Sequence, residues 1–450
     1  MKKLLYLLFL LVATSAVAQD VIIFKWLVKE SEEAPPDSGI GQKHFYICAT
    51  AGKNFTIDWG DGNIQTYTGQ NNGWTEPCFH DYLNMTEDFV TFIVTITALT
   101  EDCRFTYFNC SYCQITNLDI SNCTALTYLD CFKNQLTNLN LSNNTALTKL
   151  FCDFNDYLGN LDLSNNTALT SLGCSKNNLE NLDLSNHAVL TDLSCGINHL
   201  TNLDLSNNTA LTYLNCSSNH LTNLDLSNNT ALTKLDCYNN HLTNLDLSNN
   251  TTLTDLDCDK NHIPLSCLYL IPEIFQYNKY LGTQTLISQT VNIGDTLFSE
   301  QALFDGIFTN YAVTQNNIPV SESEYEIIEG KLIFNTAGNY IVTMTNAAII
   351  SAPNFPAKAI VEVTVLNEFF IKENNKSNIQ IYPNPTNGQL TIRNEELGIT
   401  NYNIEIFDIT NRKIFTKTIT DIEQIIDISH LQSGIYFLKI DKEIVKFIKN

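Results

Sequence analysis

Leucine and cysteine recur at fixed offsets through the middle of this chain. Between about 105 and 270 the text alternates two half-units, L-T-x-L-x-C-x-x-N-x and L-T-N-L-D-L-S-N-N-T-A. Leu136, Leu139 and Leu141 are thus followed by Leu147, Leu150 and Cys152. In each triplet the last two apolar residues are separated by one residue, Asn140 in the first and Phe151 in the second, the period-two mark of a short strand with one buried face. Cysteines stand at 110, 131, 152, 174, 195, 216, 237 and 258, so the unit is 21 residues with a single step of 22. A unit this short cannot bury its own apolar face, and the pattern predicts a solenoid in which each coil covers its neighbour. Each half is expected to supply a short extended segment to one wall of a flattened coil. The extra residue near Asp156 and Tyr157 predicts a local bulge that leaves the stack intact.

Cys131, Cys152, Cys174, Cys195, Cys216 and Cys237 share one inward strand position, where a thiol acts as a small buried hydrophobe. Stacked strands lie about 4.8 Å apart, but their parallel side chains aim poorly for the torsion of a disulfide. A single file of thiols also makes no tetrahedral metal cage. A reduced ladder is therefore expected, with Cys48 and Cys78 the better disulfide candidates because they lie outside it. Asn134, Asn155, Asn177, Asn198, Asn219, Asn240 and Asn261 mark the corner after each strand. Asn bonds nearby backbone and tolerates left-handed geometry, and a stacked row would satisfy corner amides otherwise buried unpaired.

The outward positions separate two walls. One is copied from unit to unit, as in Thr137-Asn138 with Asn140, Thr201-Asn202 with Asp204, and Thr222-Asn223 with Asp225. The other varies, reading Tyr128, Lys149, Ser171, Asp192, Tyr213, Lys234 and Asp255 at one position. The next outward position reads Asp130, Phe151, Gly173, Ser194, Asn215, Asp236 and Asp257. Variation inside a copied unit points to encoded contacts, and aromatics anchor interfaces. Tyr128, Lys149, Phe151, Tyr213, Lys234 and Tyr238 are the partner-binding candidates; drift on a solvated surface is the plainer reading of the same variation. His199, His220, His241 and His262 stand in register at a corner, with rings expected roughly 5 Å apart. Such a row has the chemistry to catch a stray transition metal or respond to mild acid; as sequence it reads as a substitution copied with the unit. The row Asp162, Asp183, Asp204, Asp225 and Asp246 raises a calcium question without a cage or Gly-rich loop. No cofactor and no resident metal is expected.

These residues closely resemble the leucine-rich repeat family over about 105–270, especially the short repeats of internalin-like bacterial surface proteins. The resemblance implies stacked parallel strands and a protein-binding strand face, and it places Cys113 at the family's Asn or Cys position in the first unit. The expected fold is β-dominated: a solenoid (105–275) flanked by β-sandwich domains.

Residues 19–104 carry alternating runs such as Asn54 to Trp59, the turn Gly60-Asp61-Gly62 and a long strand from Phe89. With His80-Asp81-Tyr82 they resemble the PKD module, which here would also cap the first coil; Asp61 is read as tying its own turn. The solenoid is expected to stop near Asn261-His262-Ile263-Pro264. Residues 281–367 resemble an immunoglobulin-like sandwich. Residues 371–450 carry Ile379-Gln380-Ile381-Tyr382-Pro383-Asn384-Pro385-Thr386-Asn387-Gly388, the run Gly434 to Ile440, and a basic-aromatic end. They closely resemble the C-terminal sorting domain of type IX secretion substrates of Bacteroidota. That implies an address read by the secretion machinery, then release or attachment to the outer surface; a plain binding sandwich is the alternative.

Lys2, Lys3, the apolar run Leu4 to Val12 and Ala16-Val17-Ala18 form a secretory signal over 1–18, with Gln19 first in the mature chain; a retained anchor is the other reading. The formal charge is -23, and losing Lys2 and Lys3 takes it to -25, which repels nucleic acid and anionic lipid. No later apolar run is long enough to cross a membrane as a helix. Neither H-E-x-x-H nor G-x-S-x-G occurs. The chain is read as a non-enzymatic recognition or adhesion protein with an unidentified extracellular protein or glycan partner. A passive surface spacer is the alternative, and an accessory region of a secreted hydrolase the more distant one.

Overall fold

The computed structural model describes residues 19–29, 43–70, 77–80, 82, 89–271, 278–351, 355–366, 379–394, 402–409, 412–419, 423–440 and 443–450. The signal segment 1–18, Trp74 and Asp81 lie outside these residues. The chain divides into two compact units. The first holds the N-terminal sheet and the solenoid. The second holds Ser288–Ala302, Tyr311–Val342 and Val361–Asn450.

In the solenoid, each repeat makes one coil and contributes one three-residue strand. These are β9 (Tyr128–Asp130), β10 (Lys149–Phe151), β11 (Ser171–Gly173), β12 (Asp192–Ser194), β13 (Tyr213–Asn215), β14 (Lys234–Asp236) and β15 (Asp255–Asp257). All pair in parallel and in register, with Leu129, Leu150, Leu172, Leu193, Leu214, Leu235 and Leu256 aligned along the inside. These leucines are buried, and full burial of each stabilises by about 1.5–3 kcal/mol. The expected β-dominated solenoid is the observed architecture.

Each half is expected to supply an extended segment to one wall; only the cysteine-bearing wall pairs its segments into a strand ladder. On the other wall Leu203 and Leu205 still point inward and are buried. That segment is unpaired and runs into a turn, where Asp204 Oδ1 accepts the Ser206 N–H at 2.9 Å and Asp225 Oδ1 the Ser227 N–H at 2.9 Å. The inserted residue makes a turn at Asp156 and Tyr157. Around it the Asn155 N–H, not that of a following Leu, reaches Asn177 Oδ1 at 2.8 Å. Phe151 still aligns with Gly173, so the stack continues.

The N-terminal end is closed by strands from both sides of residue 104. β7 (Phe105–Asn109) pairs in parallel with β9 and antiparallel with β2 (Lys43–Ala49), which pairs in turn with β5 (Cys78–His80). β8 (Ile115–Asp119), in the first coil, pairs with β1 (Val21–Lys29). The second sheet runs β4 (Ile64–Thr68), β3 (Asn54–Asp58), β6 (Phe89–Ala98), β1, β8. Phe24, Trp26, Phe45, Trp59 and Phe108 fill the space between, with Phe45 and Phe108 ring centroids 5.7 Å apart. The exposed edge that ends a solenoid is thus covered. Asp20 is fully buried here, with Oδ2 accepting the Phe105 N–H at 2.7 Å and Oδ1 2.9 Å from Arg104. Cys48 and Cys78 are both buried thiols. Register does not bring these two disulfide candidates together, since Cys78 stands opposite Phe45 and Cys48 opposite Tyr107.

The solenoid does not stop at Pro264. Pro264 leads into the short helix α1 (Leu265–Tyr269), and β16 (Lys279–Tyr280) then adds in parallel to β15. Leu281 fills the inward slot of Cys258, and Gln284 fills the slot of Asn261. Gln284 Nε2 donates to the carbonyls of Cys258 at 3.0 Å and Leu281 at 2.6 Å, as a ladder Asn would.

In the second unit, residues 379–450 form two antiparallel sheets over a core of Leu390, Ile392, Ile404, Ile406, Ile426, Leu438 and Phe447. The fully buried Thr386 ties the loop after Pro385 to the last strand: its N–H reaches the Ile448 carbonyl at 2.8 Å, and its carbonyl takes the Asn450 N–H at 2.9 Å. No helix among the described residues is long and apolar enough to cross a membrane.

Candidate recognition face of the solenoid

The strand register converts sequence positions into rows on the outer surface. Tyr107, Tyr128, Lys149, Ser171, Asp192, Tyr213, Lys234 and Asp255 form one row, and Asn109, Asp130, Phe151, Gly173, Ser194, Asn215, Asp236 and Asp257 the next. Of the six candidate residues, Tyr128 and Phe151 come together, with centroids 5.7 Å apart. Tyr107 stacks on Tyr128 at 4.3 Å and extends the patch. Lys149 is exposed beside Tyr128 in the row. Tyr213 and Lys234 form a second pair, the ammonium 5.8 Å from the ring centre. Tyr238 lies apart from both pairs, and its hydroxyl accepts from Lys260 Nζ at 2.6 Å.

A further row adjoins this face. Lys133, Phe154, Lys176, Ile197, Ser218, Asn239 and Lys260 all have φ between 51° and 58°. The left-handed residue is therefore the one before each ladder Asn, not the Asn. Phe132 lies 5.2 Å from Tyr112 and 5.0 Å from Phe154, while Lys133 caps Tyr112 at 5.0 Å and Lys176 caps Phe154 at 4.7 Å. Tyr107, Tyr112, Phe132 and Phe154 were not among the candidates. For Tyr112 and Phe154 the readable signal is that the second residue after each Cys varies from coil to coil; Phe132 stands at the variable position directly after its Cys, and Tyr107 continues the Tyr128 row.

Several face residues serve their own coil. Asp130 Oδ1 accepts the Phe132 N–H at 3.0 Å, Asn215 the Ser217 N–H at 3.0 Å, and Asp236 the Tyr238 N–H at 3.1 Å. Burial pushes the Asp130, Asp153, Asp236 and Asp257 carboxyls above the usual range. On the copied wall the backbone N–H of the Ser two residues on holds the exposed Asp162, Asp183, Asp204, Asp225 and Asp246 below it.

Behind the face lie the two ladders. Cys110, Cys131, Cys152, Cys174, Cys195, Cys216, Cys237 and Cys258 are buried thiols. Burial raises all of them, Cys195 up to about 12. Asn134, Asn198, Asn219 and Asn240 are buried, and each bridges two coils. Asn219 Nδ2, for example, donates to the carbonyls of Cys195 at 3.1 Å and Cys216 at 3.0 Å, while its Oδ1 accepts the Leu200 N–H at 3.0 Å. In the first coil Cys113 takes this place, its thiol 3.2 Å from the His44 carbonyl. These residues hold the wall that presents the face. Among the described residues no group of three or more His, Cys, Asp or Glu converges as a metal site.

Residues 380–450 match the family described as the secretion system C-terminal sorting domain. No curated protein sequence matches the chain significantly. Among solved structures, the chain is similar to the functional domain of InlJ from Listeria monocytogenes, which includes a cysteine ladder. The identity is 25% over 58% of this chain and 81% of that one, with a TM-score of 0.23. It is also similar to internalin C2 from Listeria monocytogenes, at 24% identity over 38% of this chain and 78% of that one, with a TM-score of 0.35. The sorting domain marks a type IX secretion substrate, secreted or attached to the outer surface of a Bacteroidota cell, and implies contact with the secretion machinery.

Proposed function

We propose that this chain is a non-enzymatic recognition or adhesion protein that binds an extracellular protein or glycan through the variable wall of its solenoid. The observation that carries the reading is the contact of Tyr107, Tyr128 and Phe151 on a solvent-facing wall. Rigid aromatics offer large contact area at small entropic cost, which is why they dominate interface energetics. A passive surface spacer is the second reading. It is favoured by Asp130, Asn215 and Asp236, whose side chains are already used by their own turns.

The test is a binding screen of the chain against glycans, matrix proteins and the organism's own envelope fractions, repeated with Tyr128→Ala and Phe151→Ala. Loss of a partner at these two positions, with Asn202→Ala and Asn223→Ala unaffected, supports the face. Equal losses on both walls move the site elsewhere. No partner at all selects the spacer.

A further inference from the structure

The histidine row is uniform in sequence and not in structure. His199, His220, His241 and His262 stack with centroids 5.8, 5.6 and 5.3 Å apart and planes within 12°. At one end His199 Nε2 is engaged by Asn178 Oδ1 at 3.0 Å. At the other end His262 Nδ1 meets the backbone carbonyl of Thr285, in the added last coil. A carbonyl only accepts, so His262 Nδ1 carries a proton, and in the neutral ring His262 Nε2 then keeps a lone pair. A histidine whose second nitrogen is held by a backbone carbonyl has the orientation and tautomer of a metal ligand. His241 Nδ1 lies 3.2 Å from that lone pair.

We propose that His241 and His262 form an open two-histidine site for a divalent transition metal of the zinc, copper or nickel class. With metal–nitrogen bonds of about 2.0–2.1 Å, two nitrogens at this separation subtend roughly 100° at the ion, between square-planar and tetrahedral angles. Binding requires the His241 proton to pass from Nδ1 to Nε2. The imidazole stays neutral, and above its pKa no net proton is released. Both lone pairs then bind the ion, two of its waters leave, and its remaining positions stay hydrated. With two protein ligands the site selects by place in the affinity order, copper first, rather than by a closed cage. The chain's net charge of -23 raises the local concentration of any cation.

The test is calorimetric titration of the full chain with Cu2+ and with Zn2+, alongside electron paramagnetic resonance of the copper form. His241→Gln, His262→Gln and His199→Gln are compared, with folding checked by thermal unfolding. The first equivalent is expected to weaken by at least about tenfold in either of the first two variants and to persist in His199→Gln. The copper spectrum should show coupling to two imidazole nitrogens and lose it in His262→Gln. An unchanged first equivalent in the His241→Gln/His262→Gln double variant overturns the proposal. So does a loss in His199→Gln as large as in His262→Gln.

Discussion

Asn208 donates from Nδ2 to the backbone carbonyl of His187 at 2.9 Å, while His187, in the same slot one coil earlier, faces the Leu163 and Asn166 backbone of the coil before it without reaching that geometry. The slot is otherwise a second asparagine row. Asn144, Asn166, Asn229 and Asn250 each give two N–H groups to carbonyls of the preceding coil. His187 is 1% exposed; its ring faces the backbone of Leu163, Asn166 and Leu184, but neither ring nitrogen reaches the geometry of the two bonds an Asn makes in this slot. His187→Asn is expected to restore the row and stabilise the chain by about 1 kcal/mol, a typical net hydrogen bond. Urea unfolding at neutral pH measures it. Burial also holds the His187 pKa below 6.5. As pH falls through 6.5 the unfolded chain takes a proton that the folded one refuses, so the native protein loses stability until pH passes below the depressed folded value. His187→Asn should remove that part of the acid sensitivity. Parallel stability curves for the two proteins between pH 7 and 5 would refute it.

The cysteine ladder sets an alkaline limit. Burial raises the eight ladder thiols above their ordinary value of 9.0. Below pH 9 both states are protonated and nothing is lost. Above it the unfolded thiols ionise and the folded ones do not, so each Cys removes up to about 1.4 kcal/mol per pH unit until the folded value is reached. The solenoid should therefore unfold steeply between pH 9 and 10. Cys195→Val should lessen that slope by one cysteine's share. Denaturant midpoints from pH 8 to 10.5 decide it. In the same samples at pH 7, Cys131, Cys152, Cys195, Cys216 and Cys237 should resist thiol reagents until unfolding.

Most of the solenoid was legible because Leu and Cys repeat with one period and one inward direction. Its last coil was not. Leu281 and Gln284 replace Cys258 and Asn261 with residues of like function but different letter, after a step of 23 instead of 21. The left-handed row was hidden for another reason. Phe154 and Ile197 have no preference for positive φ, and the stacked coils on either side impose it. On the face, Tyr128 and Phe151 could be read from the strand period. Tyr112 and Phe154 stand beyond the strand, where that period no longer says which way a side chain points.

Gly173 is demanded by its neighbours on the face. A Cβ there would run into the Asp153 carboxylate and come within 3.0 Å of the Phe151 ring. Asp153 is 9% exposed and cannot swing aside freely, because its Oδ1 accepts the Ser175 N–H at 2.8 Å. Gly173→Ala is expected to cost about 1–3 kcal/mol by overpacking. In an Asp153→Ser background the same change should cost less than half as much, giving a measurable coupling. A full and equal cost in both backgrounds would place the clash elsewhere.

Export should leave its mark on the mass of the product. The sorting domain spans 380–450, and its core is completed by the last strand, where Phe447 is fully buried and Thr386 is bound to Ile448 and Asn450. An address read as a folded surface requires that strand to be in place. Material recovered outside the cell is expected to begin at Gln19 and to lack much of the region after about 371. Phe447→Ala should cost the domain about 3–5 kcal/mol through the cavity it leaves, so the uncleaved chain should accumulate inside the cell. Intact-mass analysis of the two fractions reads both outcomes. An extracellular product that retains Met1 and Asn450 would overturn the expected processing, and normal export of the Phe447→Ala chain would show that the folded C-terminal domain is not the address.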